Sequence, residues 1–506
     1  MKKGFRINSF YHYSNNNGML TNQSPVEYYG SIVNPYADEY NRFIGNTNYA
    51  SHWWETYCDN SSALNALSSV KYCVYKEKDS DVVLDEDIST NVDLEVDSNI
   101  VYNFFEDFSG NEDEDVDIEL ENDLDSLENI DTHNEILFGY KYLDNINGYK
   151  IYKNNNYVPI FYTYNNIIDK NVASNFNPVE RHELMTKNAI IDSYDKYNGN
   201  INTKDLTKTS KNIQYFIEND SDDIIVNEKS IITSKKNQEI TLFFNGIENS
   251  ENYIYIKGLY YKSLPEYDFY YNKEIDFKNN KYNIDSSNKF AKVFTKRKSK
   301  RLLNNKKYFG YGQDVYSLEF ETSSGNEKQL LQLTEYEQSY SDNHNFAINM
   351  GYYNEKLNFI KIKFPNVGIY TFDEISVICQ PLKYLKDSIA NLKSEKFINT
   401  SVYNDEISTQ VNLSENKFIC LAIPYHYGWK AYLDGKETKI YRTNIMHMGI
   451  DANEGQHSIV FRYSNPFIKI GFLLSIFGTI ILLLYIVYDK KILKFSLLGK
   501  NNERKS

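Results

Sequence analysis

Four cysteines in 506 residues, Cys58, Cys73, Cys379 and Cys420, are too few for a disulfide scaffold, so the fold must be held by packing. Cys379 in SVICQP and Cys420 in FICLAIP lie in apolar strand-like runs and read as buried thiols, while a Cys58 to Cys73 bridge stays open. Clustered Lys and Arg are also missing. The densest basic run, Lys296 to Arg301, reads as decoration of a solvated strand or loop, which excludes a nucleic-acid footprint. The formal charge of -14 is local in origin: residues 79–134 carry 21 acidic residues and no Lys or Arg. Behind the opening MKKGFRINSF there is no apolar stretch or small-residue cleavage site of a secretory signal. One end of a longer membrane protein is the simplest account of such a chain, while insertion by the C-terminal anchor alone would leave the large domain in the cytoplasm.

Catalytic and cofactor motifs are equally scarce. Asp113, Asp115 and Asp117 start like a calcium loop, but Ile118 stands where that loop needs glycine. His182 and Glu183 in RHELM lack the second histidine of a zinc helix and are expected on the helix surface. Gly310, Tyr311 and Gly312 give a lone GxG without the third glycine of a nucleotide loop. His447 and His457 flank a turn without a carboxylate or cysteine nearby in sequence, and are expected to face solvent. No catalytic residue, cofactor or metal site is therefore assigned, and enzymatic activity in this chain stays undecided. Trp53, Trp54 and Glu55, in SHWWETY, are the candidate sugar-stacking residues: aromatic faces cover a pyranose while a carboxylate bonds its hydroxyls. Core packing is the commoner role for such tryptophans. Trp429 in GWKAYLDG is expected in a sandwich core. With 46 Tyr and 9 Pro, the composition suits either a sugar-binding surface or AT-rich coding, the simpler explanation.

What the chain does contain is a long apolar run near its end. From Ile470 to Tyr488, 19 residues pass without a charge, and at about 1.5 Å of rise each they match a hydrocarbon core of about 30 Å. Behind it, Lys490, Lys491, Lys494, Lys500, Arg504 and Lys505 outnumber Asp489 and Glu503, while Phe467, Tyr485 and Tyr488 sit where interfacial aromatics belong. The charge rule predicts a single-pass cell-membrane protein, with residues 1–465 extracytoplasmic and the basic tail cytoplasmic. The lipid bilayer is thus the first expected partner.

Patterning predicts a mainly β, α+β chain. A small α/β unit spans 1–78, an acidic and flexible insertion 79–134, and a continuation of the N-terminal unit 135–195. A β-sandwich module follows at 196–380, where short β-patterned runs alternate with turn signals. A linking helix spans 381–395, with Leu382, Leu385, Ile389 and Leu392 on one face. A membrane-proximal β module covers 396–465, with Asp434 and Gly435 as a two-residue hairpin turn. The transmembrane helix takes 466–488 and the tail 489–506. A further helix is expected from Pro178 to Ile191.

The run IPYHYGWKAYLDGKETKIYRTNIMHMGIDANEGQHSIVFRYSNPFIKIG, with its GWK, its DGK hairpin, its EGQH turn and its FRYSNP entry to the helix, resembles the C-terminal end of YfhO-type bacterial membrane proteins. ALNALSSVKYCVYK, and VPIFYTYNNII followed by NPVERHELM, resemble elements further upstream in that family. The resemblance implies a large polytopic protein of the GT-C type that transfers lipid-linked sugars to envelope polymers such as lipoteichoic acid. It also places the catalytic acids in an N-terminal multi-helix half, so none is carried onto this chain. The partners it implies are a multi-span transferase half and wall glycan. A single-span surface protein with a structural or adhesion role is the alternative.

Overall fold

The computed structural model describes residues 6–9, 28–29, 34–47, 54–55, 61–76, 138–146, 149–192, 197–264, 315–334, 340, 342–403 and 405–502. The acidic insertion, Cys58, Trp53, the Lys296 to Arg301 run and the Gly310 to Gly312 turn lie outside the described residues. Strand is the commonest conformation of the described chain, arranged largely in antiparallel sheets, with a few helices and one long apolar helix at the C-terminal end.

The middle of the chain packs three antiparallel sheets around one apolar core that includes Ile240, Leu242, Ile254, Phe320, Ile362 and Tyr370. The strand Phe359–Phe364, FIKIKF, buries every second residue, so one face meets the core and its lysines meet solvent. The strand Ser250–Lys257 differs. Seven of its eight residues are buried. Ile254 and Ile256 enter the sandwich core, whereas Tyr253 and Tyr255 pack on the other face with Val179 of the helix Pro178–Lys187. A tyrosine and isoleucine alternation that looks amphipathic is thus covered on both sides.

The terminal module is also a sandwich. Its outer sheet runs Phe397–Val402, Glu406–Leu413, Gly455–Tyr463, Trp429–Leu433 and Lys436–Thr438, in spatial order. Its inner sheet runs Phe161–Tyr164, Lys417–Pro424, His447–Ala452, Tyr441–Thr443, Ala189–Ile191 and Ile167–Asp169. Residues 161–191 therefore share a sheet with residues far along the chain: Phe161 stands opposite Leu421 and Tyr164 opposite Phe418. Pairing across so long a loop leaves no periodic signal in either segment, so the sequence reading kept the two spans apart. KFICLAIP is buried on both faces: Ile419 and Leu421 meet the outer sheet's core, while Phe418, Cys420 and Ala422 meet a helical layer. That layer holds the helices Pro35–Ile44, Ser62–Leu67, Pro178–Lys187 and Lys383–Leu392, the last burying Leu385, Ile389 and Leu392 as its spacing predicts.

The helix expected to run to Ile191 stops at Lys187. It starts with a capping box, Asn177 and Glu180, and with Pro178 in the first turn. Asn188 then takes φ -136° and ψ 143°, and its side chain donates to the Leu184 and Asp205 carbonyls. The apolar Ala189–Ile191 continues as a strand parallel to Ile167–Asp169. The final helix, Pro466–Asn502, has a backbone that stays helical past Tyr488. Its segment Pro466–Tyr488 is, among the described residues, the one stretch long and apolar enough to cross a membrane, and none of that window is buried.

Candidate functional site

Three polar clusters could carry chemistry, and in two of them every buried carboxylate meets a cation or several hydrogen-bond donors. The first lies where helices meet the middle sandwich. His182 and Glu183, expected on a helix surface, are 2% and 0% exposed, because this short helix is covered on more than one side. Glu183 accepts from Lys187 at 2.7 Å, and from the Thr209 N–H at 3.0 and 2.8 Å. His182 Nε2 faces the Ile44 carbonyl at 2.9 Å, and burial holds its pKa down at about 4. Glu251, 2% exposed, accepts from the Ser62 N–H at 2.9 Å and from Tyr253 at 2.7 Å, at the start of the helix Ser62–Leu67. Each buried acid is met by several donors, so these groups fasten modules together. The apolar YIYI of the strand hides Glu251, and nothing in its local sequence marks it.

The second cluster ties the helix Pro35–Ile44 to the inner sheet. Arg442 pairs with Glu39 and Asp192, Lys170 pairs with Glu39, and the Arg442 guanidinium lies 4.3 Å from the Tyr36 ring centroid. Burial opposes ionisation of Glu39, but hydrogen bonds from Lys170 and Arg442 outweigh it and hold its carboxyl below the ordinary range. Two cations and two anions close on one another here.

The third cluster is open. Asp434, with φ 52°, and Gly435, with φ 76°, form the expected two-residue turn, whose left-handed backbone suits Asp and Gly. Asp434 accepts from the Ser458 N–H at 2.9 Å and meets His457 Nδ1 at 2.8 Å; these contacts, the backbone one first, hold its carboxyl below the usual range. His457 Nε2 reaches the Asn453 carbonyl at 2.8 Å. Beside this turn Asp451 accepts from Tyr197, whose hydroxyl pKa burial and then Asp451 push upward. Asn200 Nδ2 donates to Asn453 Oδ1 at 2.6 Å. The result is a cleft of about 430 Å³ lined by Asn200, Asp434, Glu437, Thr438, Asp451 and His457, among others. Its walls combine carboxylate, amide and hydroxyl groups with apolar surface from Leu433 and Ala452, a mixture that suits the hydroxyls and the apolar face of a sugar. Among the described residues no group of three or more His, Cys, Asp or Glu could hold a metal ion.

The two histidines of the terminal module part company. His447 is 1% exposed in the inner sheet and close to Tyr40, whereas His457 belongs to the outer sheet. The expectation that both face solvent fails for His447, because its strand is covered by the helical layer. Trp429, expected in the core, packs against the core of the terminal sandwich while staying partly buried, with its ring centroid 5.4 Å from that of Tyr463. Cys379 and Cys420 are buried as expected, and burial raises their thiols to about 11 and about 12. Trp54 and Glu55 form a two-residue strand opposite Tyr29 and Tyr28. Sequence reasoning found the DG turn of the cleft but not its other wall, because Tyr197 and Asn200 come from a polar stretch about 240 residues earlier that carries no motif.

A family model described as "Bacterial membrane protein YfhO" matches residues 2–475. The "Uncharacterized protein YfhO" of Bacillus subtilis (strain 168) is 28% identical over 131 residues, which make up 26% of this chain and 15% of that protein. A cryo-EM structure of the arabinofuranosyltransferase AftD from Mycobacteria aligns with 30% of this chain and 12% of its own, at 8% identity and a TM-score of 0.13, too loose a superposition to carry an argument. Matches thus reach only a small part of either relative's length. The family match, by contrast, runs through nearly all of the chain and both sandwiches: the chain belongs to the YfhO family of bacterial membrane proteins.

Proposed function

We propose that residues 1–465 are the extracytoplasmic, membrane-anchored part of a protein that glycosylates cell-envelope polymers, and that this part holds acceptor glycan without catalysing transfer. The polar cleft beside the Asp434 and Gly435 turn carries the reading. Its carboxylates and amides match the hydroxyls of a sugar chain. The basic tail behind the apolar helix supports an outward-facing sandwich. A multi-span transferase partner would then supply the chemistry.

The test is glycan binding by the full chain in nanodiscs, measured by calorimetry with lipoteichoic-acid-type oligosaccharides. Asp451→Asn and Thr438→Ala are expected to weaken binding roughly tenfold, the loss of one or two hydrogen bonds to a charged or polar wall. Binding that ignores both substitutions would refute the cleft. Sugar transfer by the chain alone, from a polyprenyl-phosphate donor, would refute the non-catalytic role, and capture of protein partners without glycan binding would favour an adhesion protein.

A further inference from the structure

We infer that a second part of the protein touches the bilayer: the loops at the membrane end of the terminal sandwich rest in the lipid interface beside the helix. This depends only on Pro466–Tyr488 being a span, not on the glycan reading.

Two residues, Ser464 and Asn465, separate the strand Gly455–Tyr463 from the helix. The junction is fixed on both sides. The Ser464 N–H donates to the Gly428 carbonyl at 2.9 Å, and the Tyr463 N–H to the Asp405 carbonyl at 2.7 Å, so two different loops are bonded to it. Asn465 caps the helix, its side chain accepting from the Phe467 N–H at 3.0 Å. The bonds to Tyr463 and Ser464 hold the chain against the sandwich up to one residue before the helix cap, and the Tyr427 ring bridges to Phe467 across the joint.

Each of the two loops presents an exposed aromatic ring. Tyr403, beside Asp405, is 64% exposed, and Tyr427, beside Gly428, is 55% exposed. Tyr427 stacks on His426 at 4.2 Å and meets Phe467 edge-on at 5.9 Å. Phe467 lies three residues before Ile470, where the charge-free run begins, and so about 4.5 Å outside the hydrocarbon boundary. A ring touching Phe467 is therefore at headgroup depth. Tyrosine suits that depth because its ring is apolar and its hydroxyl can stay hydrated. Continuity with the span names the occupant of this rim as the glycerol and phosphate layer of a phospholipid bilayer.

The test places a nitroxide at residue 403, 427, 216 or 480 of the full chain, in a Cys58→Ser background, in phospholipid nanodiscs. Phe216, 64% exposed in the middle sandwich, reports water, and Ile480, within the apolar helix, reports lipid. Power saturation compares collision with oxygen, which concentrates in lipid, and with a nickel chelate, which stays in water. The oxygen-to-nickel ratio at 403 and 427 is expected to exceed that at 216 by roughly threefold and to fall below that at 480, as interfacial depth requires. Ratios at 403 and 427 equal to that at 216 would overturn the proposal, and so would shielding from both reagents, which would mean a protein partner covers the rim. Nickel access at 480 would show instead that the helix does not span. Should a labelled variant misfold by circular dichroism, Tyr403→Trp and Tyr427→Trp give the same reading through quenching by headgroup-labelled lipids; no added quenching over the parent protein overturns the proposal.

Discussion

The strand Gly455–Tyr463 has ends of opposite chemistry. Near its start, His457 belongs to a cleft of carboxylates and amides; at its finish, Tyr463 belongs to an aromatic rim that includes Trp429, His426 and Tyr427. His457 and Tyr463 are six steps apart in the chain, about 20 Å along an extended strand. The inner sheet repeats the contrast: Ala452 and Asp451 adjoin the cleft, and Pro424 and His447 adjoin the loop of the rim. Between the ends lies one continuous core of Ile419, Leu421, Met448, Ile450, Ile459 and Phe461. A single sandwich thus sets its two ends apart at a fixed spacing.

The comparison is broken most thoroughly through the core that both ends share. Phe461→Ala, at a fully buried ring near Phe161, is expected to cost about 3–5 kcal/mol, and chemical denaturation should show cleft and rim lost together. An unfolding transition that leaves the rim's tryptophan signal native would show that the ends are independent.

As pH falls, acid should act on the helical layer before it reaches Asp434 at the polar end. His182 folds with a pKa near 4 against about 6.5 when unfolded. Its pKa is depressed, so the unfolded chain takes up a proton first as pH falls. Stability is then lost between about pH 6.5 and 4, by about 3 kcal/mol in all. His182→Gln should flatten the stability profile across that window, measured as denaturation midpoints against pH. An unchanged slope would place the acid sensitivity elsewhere.

Asp434→Ala removes the partner of His457 and of the Ser458 N–H at the polar end alone, and is expected to cost about 1 kcal/mol. Glycan affinity should fall with it, while lipid contact at the rim should not. The smallest effect is expected at the other end: Tyr427→Ser, at an exposed ring, should change stability by under about 0.5 kcal/mol, with only the depth of the rim in the bilayer altered. A large loss of stability would mean that Tyr427 packs into the fold instead of facing lipid.

Local patterns explain which of these features could be read from the chain. The DG turn was legible because only a tight hairpin needs two left-handed residues together. Leu385, Ile389 and Leu392 were legible because their spacing repeats at the helical period. His182, Glu183 and His447 were misjudged because a polar side chain in a short element gives no periodic sign of being covered. Trp429 packs against the sandwich core as expected, though only partly buried. Its place at a sandwich edge, against Tyr463, depends on a strand that begins 26 residues later.

By itself the sequence determined the apolar C-terminal run, the mainly β character and the turn that shapes one wall of the cleft, since each follows from neighbours within about a dozen residues. Only the tertiary structure decided that residues 161–191 complete the terminal sheet, that Asn200 closes the cleft, and that two loops bearing tyrosine flank the helix entry. Those contacts join segments tens to hundreds of residues apart. Hydrogen bonding and burial choose such partners from the whole chain, and no local period encodes the choice.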